Sequence, residues 1–253
     1  MKDTHERVGE VGYNNFGSRM TIVEYNNSRD ITIVFDNGYI VKCEYGQFKK
    51  GSVRNAYDKS VFGVGYLGEG EYKATENGSI TDEYSIWSNM LQRVYDDNYA
   101  KKNPTYIGCS VSDEWHNFQN FAKWYNENYY TVGDEKMCLD KDVLFKDNKI
   151  YSPNTCVFVP QSINKLLTKR NRERGQLPIG VTLHKVSHKY MAQCHDGFGE
   201  RIRLGSFNTP KEAFYAYKKC KEGIINSVAE RYKNYIPTNL YNTLITYEVE
   251  IDD

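Results

Sequence analysis

Residues 180–217 read GVTLHKVSHKYMAQCHDGFGERIRLGSFNTPKEAFYAY, and this stretch decides the fold. The segments GVTLHK, KYMAQCHD and ERIRLGSF alternate apolar and polar side chains, the period of half-buried strands. The T-P-K-E that follows at 209–212 is a helix start, with Thr at the cap, Pro in the first helical position and Glu at the third. Ala213, Phe214, Tyr217, Cys220, Ile224, Val228 and Ala229 share one face of a helix that runs to about Lys233 and is limited by Pro237. Three strands and a helix predict an α+β module. Strand alternation turns Val181, Leu183, Tyr190, Ala192, Ile202 and Leu204 toward the helix, and Thr182, His184, Met191, Gln193, His195, Arg201 and Arg203 away from it.

Around this stretch the charge is uneven. The 253-residue chain carries 33 basic and 33 acidic side chains, so its net charge is zero. Residues 1–160 hold 18 basic and 23 acidic groups, residues 161–240 hold 15 and 6, and residues 241–253 hold none and 4. A block of net +9 between an acidic body and an acidic tail is the footprint expected of a nucleic-acid-binding module, or of a solvated basic helix face. The tail YEVEIDD has the charge to compete with DNA for the basic block. A composition of 40% hydrophobic and 26% charged residues excludes collagen-like, coiled-coil and wholly disordered chains. No apolar run reaches the roughly 18 residues of a membrane span, and MKDTHERVGE lacks the core of a signal peptide. The expectation is a cytoplasmic protein with no membrane partner. Six scattered cysteines without a CxxC pair fit free thiols rather than zinc or a disulfide framework.

Upstream, residues 138–165 read CLDKDVLFKDNKIYSPNTCVFVPQSINK: a short strand, a polar turn at KDNK, a second strand over TCVFVP and a helix opening at Gln161. This is the ββα unit of one-metal nucleases and also a common supersecondary piece. Before it, Tyr84, Trp87, Met90, Leu91 and Val94 fall at helical spacing after Asp82 and Glu83, and a second helix is expected near Ser112, carrying Trp115, Phe118, Phe121 and Trp124. Aromatics at that spacing are read as core. His116 is expected on the polar surface. Residues 20–25, 30–36 and 39–45 alternate around NNS and NG turns and predict a three-stranded antiparallel meander within a small, SH3-like β module.

Two parts of the sequence carry resemblances. Gly180-Val181, Lys189–Ala192, Ile202–Phe207, Thr209–Ala213 and Ala216-Tyr217 together look like an AP2-type DNA-binding domain. YSIWSNMLQRVY, EWHNFQNFAKWY, LDKD and YSPNTCVFVPQSIN resemble the phage-borne HNH homing endonucleases. The AP2-like pattern implies a double-stranded-DNA partner met by Arg201, Arg203, Gln193, His184 and His195, with Lys185, Lys189 and the linker residues Arg170 and Arg172 on phosphates. The HNH-like pattern implies Mg²⁺ or Mn²⁺ held by Asp140 and Asn164, a loop braced by Asn154, and Lys141 where the family has its general-base His. A protonated Lys is a poor base, so a DNA-nicking endonuclease and a nuclease-inactive DNA-binding or regulatory protein both remain open. The organisation read from the sequence is a β module (1–65), an HNH-like domain (66–168), a basic linker (169–176), an AP2-like domain (177–238) and an acidic tail (239–253).

Overall fold

A computed structural model of the chain describes residues 7–169, 176–196 and 199–251. It is α+β, with its main sheets antiparallel, and divides into two compact units, residues 1–127 and 128–253. The boundary therefore falls inside the expected HNH-like domain.

In the first unit, β1 (Val11–Tyr13), β2 (Arg19–Asn27), β3 (Asp30–Phe35) and β4 (Ile40–Cys43) form one antiparallel meander in that order. The expected three strands gain β1 as an edge. Tyr45–Lys50 is a helix, α1, where only glycine turns were read. Gly51 ends it at φ +67°, and a Cβ there would lie 2.8 Å from the Tyr13 carbonyl oxygen. Met20, Ile22, Ile31, Ile33 and Phe35 pack with Phe48 of α1 into the core. Buried Asn14 ties the β1–β2 turn to the loop beyond α1 by donating to Asp58 Oδ2 at 2.6 Å and to the Val53 carbonyl.

The rest of the first unit is built on aromatic rings. Helix α2 (Asp82–Tyr95) follows Thr81, with Asp82 and Glu83 in its first turn as expected, and α3 (Asp97–Lys102) comes next. The second expected helix starts later than its capping chemistry suggests. Asp113–His116 is a 3-10 turn, and α4 runs Phe118–Asn128. Trp87, Trp115, Phe118 and Phe121 are fully buried, and Trp87 Nε1 donates to the Trp115 carbonyl at 2.7 Å, which agrees with the reading of this stripe as core. His116 is part-buried rather than a surface residue, 3.0 Å from the Tyr95 hydroxyl, and desolvation lowers its pKa.

In the second unit, β5 (Met137–Asp140) and β6 (Val157–Pro160) pair antiparallel with Val157 opposite Asp140, and α5 (Gln161–Leu167) follows directly. The order β7 (Val181–His184), β8 (Lys189–His195), β9 (Arg201–Phe207) makes a three-stranded antiparallel sheet. Helix α6 (Pro210–Tyr232) has the anticipated capping box, with Thr209 and Glu212 bonded reciprocally.

Helix α6 belongs to two cores. Its first half sets Ala213, Phe214 and Tyr217 against Val181, Ala192 and Cys194 of the sheet. Its second half sets Ile225, Val228, Ala229 and Tyr232 against Val157 and Val159 of β6 and Ile163 and Leu166 of α5. The presumed acidic tail is largely structured: α7 (Thr238–Ile245) buries Leu240 and Leu244 in the second core, and Val249 is 3% exposed in the first. Hydrogen bonds from Lys218 Nζ to the Val249 carbonyl and from the Val249 amide to Glu222 fix this strap on the helix side of the sheet. That packing corrects the idea of the tail as a competitor on the outer face.

Candidate nucleic-acid interface and acidic cleft

The outer face of β7–β9 takes its composition from strand alternation. Arg201 stands opposite His195, and Arg203 opposite Gln193, on neighbouring strands. Arg201, Arg203, His184, His195, Lys185 and Lys189 are exposed, while Gln193 is half-buried. Arg201 and Arg203, two residues apart, are separated by about 6.8 Å along the strand. That is about twice the 3.4 Å spacing along a DNA strand. No carboxylate neutralises Arg201, Arg203, Lys185 or Lys189 among the described residues, whereas Arg19 and Lys49 of the first unit are each paired with one.

Some details differ from the simple alternation. Leu183 is 45% exposed and Ile202 36%, so neither joins the core with Val181, Ala192 and Cys194. The ladder shifts register between Ala192 and Gln193 of the central strand, and Leu183 and Ile202 sit on the edge strands of a narrow sheet. His184 is partly committed to its turn, its Nδ1 accepting from the Ser187 amide at 3.3 Å and lying 2.8 Å from the Ser187 hydroxyl. Arg170 and Arg172 lie outside the described residues.

Beneath the ββα unit a cleft of about 420 Å³ is lined by Asp140, Asp142, Asp147, Asn164, Thr168, Tyr247 and Glu250, among others. Asp140 ends β5, and its Oδ1 accepts from the backbone amides of Asp142 and Val143 at 2.9 and 2.8 Å. Burial, with the Asp142 carboxylate next to it, pushes the Asp140 carboxyl up to about 6. Asp142 goes the other way: although burial opposes it, the hydrogen bond from Lys141 Nζ at 2.9 Å holds it below the usual range.

Lys141 does not line the cleft. It is 7% exposed, paired with Asp142 and set over the Tyr151 ring at 5.7 Å. Asn164 does line it, and its side-chain amide has no partner among the described residues. Asn154 is exposed on the turn before β6, and its side chain makes no hydrogen bond among the described residues. Asn148, which the sequence reading passed over, braces the loop by donating to the Lys141 and Ile150 carbonyls, both at 2.7 Å. Its place in KDNK was visible, but its role depends on loop closure, with Asp147 at φ +62° turning the chain.

The cleft offers oxygen donors of the type Mg²⁺ and Mn²⁺ accept, namely the Asp140 carboxylate and the Asn164 amide oxygen. Among the described residues no three His, Cys, Asp or Glu side chains are grouped to hold a metal ion. An ion there would keep most of its ligands as water or substrate oxygen, which is the habit of Mg²⁺. Among the described residues no helix is long and apolar enough to cross a membrane. Compared with protein-family models, curated proteins and solved structures, the chain matches none.

Proposed function

We propose that the chain binds double-stranded DNA through the outer face of β7–β9, in the manner of the AP2-type domains its sequence resembles, as a nuclease-inactive DNA-binding or regulatory protein. The observation that carries this reading is the row of exposed cations, Arg201, Arg203, Lys185 and Lys189, none of them neutralised by a carboxylate among the described residues. Arginines suit the O6/N7 edge of guanine, Gln193 suits adenine, and a β-sheet reader of this kind enters the major groove. The ββα unit is read as HNH-like in shape, the four-stranded meander as an SH3-like accessory, and the phage setting within a host cytoplasm as the context that goes with both.

Inactivity follows from Lys141. The position where the resembled family keeps its base holds a buried ammonium already paired with Asp142. A second reading is favoured by Asp140 and Asn164, whose oxygens line one cleft and suit a divalent ion. In that reading the ion would polarise a phosphoryl oxygen, and Asp140 and Asn164 would orient it.

Duplex binding measured by anisotropy over a salt titration tests the first reading. Arg203→Ala should weaken binding by about 1–3 kcal/mol, and Lys189→Ala should flatten the salt slope by about one unit. Unchanged affinity in Arg201→Ala/Arg203→Ala removes the sheet from the interface. A supercoiled plasmid carrying the DNA around the gene, incubated with Mg²⁺ or Mn²⁺, separates the two readings. Intact plasmid supports the inactive form, whereas nicking that disappears in Asp140→Ala supports the nuclease.

A further inference from the structure

At the His195–Arg201 end of the sheet a second cleft, of about 440 Å³, opens between the sheet, α5 and α6. Its wall brings together cations from four places in the sequence: Lys165 on α5, Lys169 after it, Arg201 on β9 and Lys221 on α6, with His195 and Gln193 alongside. No Asp or Glu is among the described residues that line it. Lys169 is drawn toward Asp147 at 3.9 Å, but Lys165, Arg201 and Lys221 have no carboxylate partner among the described residues.

Lys221 is the unusual member. It sits one turn beyond Tyr217 on the helix that covers the sheet and is part-buried there. Taking an ammonium out of water without an anion is costly, and desolvation lowers the Lys221 pKa accordingly, with the thiols of Cys194 and Cys220 as its nearest compensation. An anion entering the cleft would restore the missing counter-charge. Gly180 is packed against the Tyr217 ring and the amide of its neighbour Val181 is tied up by the Pro178 carbonyl, so recognition falls to the side chains.

We propose that this cleft is a phosphate-binding pocket, with Lys221 and Lys165 as its floor and Arg201 as its rim. The ligand is a phosphoryl group, supplied either by a DNA backbone or by a free phosphate compound. The backbone source rests on the DNA-binding reading above, whereas the pocket itself does not.

The test measures the thermal midpoint of the full chain against inorganic pyrophosphate at fixed ionic strength, balanced with chloride. At ten times the Kd the wild type should gain on the order of 3 °C. Lys221→Met, which keeps the aliphatic stem and removes the part-buried charge, should have a midpoint no lower than wild type in chloride and should lose most of the pyrophosphate gain. Arg203→Ala, outside the pocket, should keep it. No gain in the wild type, or an equal gain in Lys221→Met and in Lys165→Ala, overturns the proposal.

A second arm identifies the source. If Lys165→Ala/Lys221→Met also lowers duplex affinity about tenfold, the pocket takes a backbone phosphate; if duplex affinity is unchanged while pyrophosphate still protects the wild type alone, it takes a free phosphate. Should the DNA reading fail, wild type and Arg201→Ala/Arg203→Ala would both ignore the duplex. The pyrophosphate response of the wild type would still stand.

Discussion

At the level of single residues, the Asp140–Lys141–Asp142 triplet makes the sharpest prediction. An Asp with a raised folded-state pKa holds its proton in the native state over a range where the unfolded chain has released it. Asp140 therefore lowers stability as pH rises from about 4 to about 6. Asp142, held low, acts with the opposite sign and loses its contribution in acid. Asp140→Asn keeps an acceptor for the Asp142 and Val143 amides and removes the charge. It should be more stable than wild type by on the order of 1 kcal/mol at pH 7 and close to it at pH 4, as read from urea midpoints. A divalent ion that binds at Asp140 would protect the wild type increasingly above pH 6 and leave the Asn variant unaffected. Gly180 gives a second residue-scale test. It has φ +75°, and a Cβ would lie 2.0 Å from the Tyr217 ring. Gly180→Ala should cost roughly 3 kcal/mol or more, because backbone strain and overpacking add. That Asp140 and Asn164 line one cleft was legible in the sequence, since LDKD and the helix after VFVP fix where they fall. The inward turn of Lys141 was not legible, because it depends on its ion pair and the Tyr151 ring.

Among elements, those with local signatures were the readable ones. Strand alternation and the Thr209–Glu212 capping box are properties of contiguous residues, and β7–β9 and α6 follow them closely. Thr209→Ala should cost about 1 kcal/mol in denaturant midpoint. Helix α4 shows the limit: Ser112-Asp113-Glu114 is good capping chemistry, yet the chain makes only a 3-10 turn there, and the α-helix waits for Phe118. Helix α7 was hidden by charge. Leu240, Tyr241, Leu244 and Ile245 after Pro237 have helical spacing, but the acidic residues beyond them drew attention to electrostatics. Leu244 is 1% exposed, so Leu244→Ala should lose about 2–5 kcal/mol. Deleting 241–253 should destabilise the unit instead of raising its DNA affinity, and a thermal melt beside a binding titration distinguishes the two.

For the whole molecule, the zero net charge divides unevenly at the boundary between units. Residues 1–127 hold 14 basic and 18 acidic groups, and residues 128–253 hold 19 and 15. The expected separation of an HNH-like from an AP2-like domain has no counterpart in the packing, because residues 143–166 and 225–244 share one core. That sharing could not be read from sequence: it pairs segments some 80 residues apart, and periodicity reports only a face to be covered, not the cover. A fragment 177–238 would expose Ile225, Val228, Ala229 and Tyr232, so it should bind a hydrophobic dye and lack a cooperative melt, whereas 128–253 should show neither defect. The shared helix also governs time. A rigid rod of 23 residues, about 34 Å long, is anchored at one end under the basic sheet and at the other in the core of the ββα unit, whose Asp140 and Asn164 line the acidic cleft. Neither end can open without loosening the other, so amide protons in both halves of α6 should exchange with solvent at the same slow rate, as one unit. The two surfaces then share a single native-state lifetime.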